Sequence, residues 1–253
     1  MHYSVSKSLP VLRRRVRRQE QRLRHLSTRV QDLERTTPVA AGKPSEELPA
    51  LAPLLAPDTP DARQQWWIDL SADWQRAFRT GYFALPTDTE PTDAQRTTLL
   101  EETTLRLVGP GGMHPNVDVS LTDTTGLRHL TRLQSLFLTD HALTTLNDLA
   151  YLPELETLFV SNNRLERIDA LAHLPGLRQL YVNGNRLTTL RPLAYCPQLE
   201  TLYCNYNPLA NLHGLTERHA GTLTTLVALP NERLSELELR RVERITQTPV
   251  RRS

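Results

Sequence analysis

From Leu133 to about Leu215 the sequence repeats itself every 22 residues, and a fixed period of that length confines the chain to a solenoid before any single residue is interpreted. Leu133, Leu155, Leu177 and Leu199 open successive copies of L-x-x-L-x-L/V/C-x-x-N-x-L, and Leu136, Leu158, Leu180 and Leu202 follow three residues later in each. Further columns read Leu138, Val160, Val182, Cys204, then Leu143, Leu165, Leu187, Leu209, then Leu146, Ile168, Leu190, Leu212. One copy cannot cover its own apolar face, whereas stacked copies cover each other and share a continuous core. Around Leu136 and Leu138 the leucines alternate with other residues, which is the period of a strand with one face inward. Stacking such strands predicts a parallel sheet. Asn163, Asn185 and Asn207 form a separate column at the strand exit, where a tight turn buries backbone groups that an amide can both donate to and accept from. His141 fills the first slot of that column and offers fewer groups, so the first turn is predicted to be more exposed than the others.

These residues resemble the short, 22-residue class of leucine-rich repeat found in bacterial internalins and in phosphatase-regulating leucine-rich proteins of eukaryotes. The resemblance covers four repeats, about a third of the chain. It implies an α/β solenoid: a leucine-rich repeat arc with a parallel concave β-sheet, short turns on the convex side, and protein ligands as the usual partners. It also points to a bacterial source.

Residues 1–37 carry a second period. Leu9, Leu12, Val16, Gln19, Leu23, Leu26, Val30 and Leu33 are spaced alternately three and four apart, an a/d seam predicting a coiled-coil helix. β-Branched residues at a with Leu at d favour two strands, and Arg15 facing Glu20 across a parallel pair predicts a parallel homodimer. The same helix holds nine arginines between Arg13 and Arg35 against three acids, so a nucleic-acid or acidic membrane surface is the competing partner. Residues 38–60 contain six prolines and no period, which predicts a semi-extended linker. Residues 61–108 read as a helical N-terminal cap, with Trp67, Leu70, Trp74 and Phe78 at helical spacing and Asp61 as the helix cap. Residues 109–222 are the leucine-rich repeats, the first one degraded, with Leu105 and Leu107 available as an extra strand. Residues 223–253 read as a last degenerate repeat and C-terminal cap.

No catalytic constellation is present. Gly109, Pro110, Gly111 and Gly112 lack the Lys-Ser/Thr that a phosphate loop needs, and no HExxH, GxSxG or zinc-spaced cysteine pair occurs. The expectation is a non-enzymatic chain without cofactor or metal. Cys196 and Cys204 fall in leucine columns and read as buried core thiols, which fits a reducing cytoplasm. The N-terminus has no apolar stretch ahead of its arginines, so no secretory signal is expected.

The residues alternating with the inward leucines are expected on the concave face as the partner-binding surface: Phe137, Thr139 and Asp140; Phe159, Ser161 and Asn162; Tyr181 and Asn183; Tyr203, Asn205 and Tyr206. Phe137, Phe159, Tyr181 and Tyr203 form an aromatic column with a spacing of about 5 Å on adjacent strands. Such a stripe is either a self-stacking ladder or a set of binding anchors, and the two are compatible. Its neighbours are mostly Thr, Ser, Asn and Gln, so a protein or peptide ligand is favoured over a long duplex, which needs a basic trough. The function expected is therefore a protein-interaction module or scaffold dimerised through its N-terminal coil. The alternative is an electrostatic tether whose solenoid is a sensor or regulatory subunit.

Overall fold

The computed structural model describes Leu48 and residues 51–52 and 54–252. The expected dimer seam from Leu9 to Leu33, and the basic character of that helix, lie outside the described residues. Among the described residues no helix is long and apolar enough to cross a membrane.

The cap is built from short helices because its sequence stops each one. α1 (Pro60–Asp69) starts at Thr59, whose side chain accepts from Ala62 N, with Pro60 in the first helical position. Asp61 sits in the first turn and is not the capping residue, because Pro60 already requires a helical start before it. The helical spacing from Trp67 to Phe78 does not run on one helix either. Leu70 and Ser71 turn extended, and Ser71 caps α2 (Ala72–Arg76), which continues into a π-helical turn over Ala77–Tyr82. Gln75 Nε2 donates to Trp67 O at 2.9 Å, a second donor to a carbonyl that at the break keeps only the 3.3 Å bond from Leu70 N. Trp66, Trp67, Trp74 and Phe78 are all buried, and Trp74 and Phe78 lie 5.2 Å apart. A third helix, α3 (Asp93–Leu100), opens with a capping box between Thr92 and Gln95.

Seven strands follow in one all-parallel sheet whose spatial order is the order of the chain. They are β1 (Thr104–Arg106), β2 (Ser135–Phe137), β3 (Thr157–Phe159), β4 (Gln179–Tyr181), β5 (Thr201–Tyr203), β6 (Thr225–Leu229) and β7 (Val250–Arg252). The sheet thus begins within residues 61–108, at the strand for which Leu105 and Leu107 are available. Leu105, Leu136, Leu158, Leu180, Leu202 and Leu226 stand in one register row, each buried beneath the sheet. From β2 to β5 the steps are 22 residues. The step from β1 to β2 is 31 residues (Thr104 to Ser135) and that from β5 to β6 is 24 (Thr201 to Thr225).

On the far side of the core each regular repeat closes through a 3₁₀ turn: Asn147–Tyr151, Asp169–His173 and Arg191–Tyr195. Leu149, Leu171 and Leu193 are buried within these turns, so sheet and turns share one leucine interior. Cys196 and Cys204 are free thiols in that interior. After β6, α4 (Glu236–Thr246) begins at Ser235 and ends at Gln247, whose φ of 59° is left-handed. The chain then adds β7, a strand that no leucine column announces.

Candidate functional site: the open face of the sheet

Strands β2 to β5 show the same burial pattern, the central leucine sealed and its two neighbours half-exposed on the opposite face. That open face carries the aromatic column in strict register, Phe137 beside Phe159, Phe159 beside Tyr181 and Tyr181 beside Tyr203. The rings are stacked, with centroids 4.6, 3.9 and 4.8 Å apart and planes within 19° of parallel. Each inner ring therefore spends both faces on its neighbours. What faces solvent is a row of ring edges and two phenol hydroxyls, not a platform for stacking a base or a sugar. Burial pushes the Tyr181 hydroxyl above its ordinary pKa, and Tyr203 beside it adds to the shift. The register extends the column to Arg106 at one end and to Val227 and Arg251 at the other, positions the strand repeats alone did not single out.

The next column is polar. Thr139, Ser161 and Asn183 are half-exposed, and Ser161 Oγ donates to Asn183 Oδ1 at 2.7 Å. Asn205 departs from the expectation of a contact residue. It is only 3% exposed and its Oδ1 has no hydrogen-bond partner, whereas the Oδ1 of Asn183 accepts from Ser161 on the preceding repeat.

Asp140, Asn162 and Tyr206 are also placed differently from the expectation, in one column with Gly184. The four are the turn residues at the strand exits, with φ of 62°, 56°, 67° and 55° in chain order. Asp, Asn and Gly tolerate the left-handed region; tyrosine rarely occupies it. Asn162 Nδ2 donates to Asp140 Oδ1 at 2.9 Å along this rim. Tyr206 stays 60% exposed. The sequence signal for this column was the Asp/Asn/Gly identity of its first three members, which marks a turn and not a strand.

Behind the rim lies the amide ladder. Asn185 Oδ1 accepts from Leu165 N at 3.0 Å, and its Nδ2 donates to Val160 O at 2.9 Å and Val182 O at 3.0 Å. Asn163 and Asn207 repeat the pattern one repeat away on either side, and Asn231 bonds Asn207 N and Cys204 O at the end of the row. His141 takes the same role at the start. Its Nδ1 accepts from Leu121 N at 3.2 Å and its Nε2 donates to Leu107 O at 3.1 Å. At 7% exposure it is as buried as Asn163 at 8%, so the first turn is not the more open one. An imidazole offers one donor and one acceptor, which is enough for the two groups that need bonds there.

On the opposite rim Arg178 lies between Glu156 at 3.7 Å and Glu200 at 2.6 Å, one charge per strand. The pair contributes to register and leaves the face close to neutral. Among the described residues no group of three or more His, Cys, Asp or Glu side chains is placed to hold a metal ion.

A register row of leucines under a parallel sheet, short turns on the other side and an asparagine ladder between them define a leucine-rich repeat solenoid, and the chain is a protein of that class. The family profile described as Leucine Rich repeats (2 copies) matches residues 153–195 and 175–217. Among solved structures, the internalin inlF from Listeria monocytogenes is similar at 27% identity and a TM-score of 0.46, over 53% of this chain and 39% of that one. The ectodomain of the receptor kinase SOBIR1 from Arabidopsis thaliana is similar at 22% identity and a TM-score of 0.41, over 51% of this chain and 70% of that one. The repeat domain of the type III effector XopL is similar at 18% identity and a TM-score of 0.40, over 74% and 75% of the two chains. No curated protein matches the sequence.

Proposed function

We propose that this chain is a non-enzymatic interaction module that holds a protein or peptide on the open face of its sheet. The observation that carries the reading is the half-exposed ring-edge stripe flanked by hydroxyl and amide side chains. Ring edges carry the positive end of the aromatic quadrupole and suit carbonyl oxygens, while Thr, Ser, Asn and Gln match the alternating donors and acceptors of a peptide backbone. A neutral face gives little affinity for a polyanion. Peptide-display selection against the intact chain, repeated with the Phe159→Ala/Tyr181→Ala double variant, tests this. Peptides should be lost on the double variant while its circular dichroism persists; selected peptides that bind both proteins equally overturn the assignment.

The finer reading joins two copies through the heptad seam, Leu9 to Leu33, and places the dimer in the cytoplasm, where the two unpaired thiols fit. A monomeric mass in sedimentation equilibrium would remove the dimer. The rival, a tether to nucleic acid or acidic lipid, rests on the nine arginines of the same segment. It requires binding to anionic vesicles or DNA that fades steeply as salt rises.

A further inference from the structure

The asparagine ladder closes the regular 22-residue joints and runs on to Asn231 at the 24-residue step, but two buried histidines also bond across irregular steps, His141 in the first ladder slot and His219 on the turn side of the core. At the 31-residue step, His141 Nε2 reaches back to Leu107 O, immediately after β1. At the 24-residue step, His219 Nε2 reaches back 3.2 Å to Leu193 O in the preceding 3₁₀ turn, and its Nδ1 accepts from Thr216 N at 3.1 Å. A carbonyl can only accept and a backbone N–H can only donate, so His141 is assigned as the neutral Nε2–H tautomer; His219 Nδ1 also lies 3.3 Å from Thr216 O, but Nε2–H is the tautomer that serves Leu193 O and Thr216 N together. Both are sealed, His219 completely. Protonation of either ring removes the acceptor that its Nδ1 supplies and places a cation in the leucine interior. An asparagine amide does not titrate, so the laddered repeats between these joints carry no such liability.

We infer that the two histidines make the end units of the solenoid acid-sensitive, so that below neutral pH the cap with β1 and the terminal unit with β6 and β7 loosen from a core that stays closed. The charged neighbours do not cancel the effect. At His141 burial is the largest influence and lowers the pKa, against the Leu107 and Val119 carbonyls and the Asp140 carboxylate, which raise it. At His219 burial again leads, opposed by the carbonyls of Thr216, Leu193 and Cys196 and assisted by the Arg218 charge. The nearby Cys196 thiol is held protonated by burial and adds no charge. His129, edge-on to Trp66, is also lowered by burial, and its titration acts within the cap.

A pKa that is lower in the folded state leaves full stability above the unfolded value of 6.5 and removes it as pH falls below that value. Between about pH 7.5 and about pH 5.5 each joint should open as much as about tenfold more often. Amide exchange by NMR on the full chain reads this as protection factors. Protection should fall for Leu107, Gly109 and Leu121 at the first joint and for Cys204, Thr216 and Thr224 at the second. Val160 and Val182, which bond Tyr181 O and Tyr203 O within the regular stack, should not change. His141→Asn, which puts the ladder's own residue in the slot, should abolish the acid response of the first joint and leave the second intact. Uniform loss across all these amides, no loss at either joint, or an unchanged response at the first joint in His141→Asn would each overturn the inference.

Discussion

Replacing Asn185 with leucine removes one rung from the middle of the ladder, and the neighbouring rungs set the cost. Leu165 N loses its only side-chain acceptor, the 3.0 Å bond to Asn185 Oδ1. Val160 O and Val182 O each lose one of two amide donors but keep the bonds from Asn163 and Asn207 at 3.1 and 3.0 Å. One orphaned buried donor costs about 1–3 kcal/mol and each half-satisfied carbonyl about 0.5–1 kcal/mol, so the variant should lose about 2–5 kcal/mol. The hydrophobic side chain recovers part of this at most, because the slot is lined by backbone polar groups. Urea unfolding followed by circular dichroism measures the loss as a shift in midpoint at unchanged slope. A loss below about 1 kcal/mol would refute the claim that the ladder satisfies otherwise stranded backbone groups. A change in slope would mean that the stack had stopped unfolding as one unit.

Other expectations follow from single sites. Tyr206→Gly relieves a left-handed tyrosine whose ring is mostly exposed, so it should stabilise the chain by about 1 kcal/mol in thermal melts; destabilisation would show that the ring packs more than its exposure indicates. Gly126→Ala should destabilise by about 1–3 kcal/mol and shift tryptophan fluorescence, because a Cβ there would sit 2.2 Å from the Trp74 ring that docks the cap. Burial pushes both cysteine thiols up to about 12, so thiol reagents at about pH 8 should label neither until the chain is denatured. Arg178→Ala should cost no more than about 1 kcal/mol, less at high salt, since its two ion pairs lie near the surface.

The regular repeats were legible because each repeat's environment is its neighbour's environment displaced by one strand. Leu136, Leu158, Leu180 and Leu202 had to share one row once the period was recognised, and the aromatic column had to stack beside it. The turn column was misjudged where one member broke the rule. Asp140, Asn162 and Gly184 already spelled a left-handed turn, but Tyr206 disguised it as another strand position. Asn205 looked like Asn183 in sequence, but the residue one repeat before Asn183 is Ser161, whose hydroxyl donates to it, and the residue one repeat before Asn205 is an asparagine that does not. β7 was hidden for the opposite reason. Its residues carry no column, and it joins the sheet because α4 returns the chain to the edge of β6, where Val250 pairs with Leu226.

The amino-acid order alone determined the period, the identity of the sealed columns, the parallel sheet and the aromatic stripe, since translation along a stack is a local property repeated without change. Tertiary structure decided how the ends close: where α1 breaks at Leu70 and Ser71, that Gly126 admits the Trp74 ring, and that His141 and His219 reach back across steps of 31 and 24 residues. At those places the chain does not repeat. The side chain that fills a gap is chosen by the space and the backbone groups that two unlike segments bring together; the asparagine column marked the slot of His141 but not the segment it reaches, and no column marked His219.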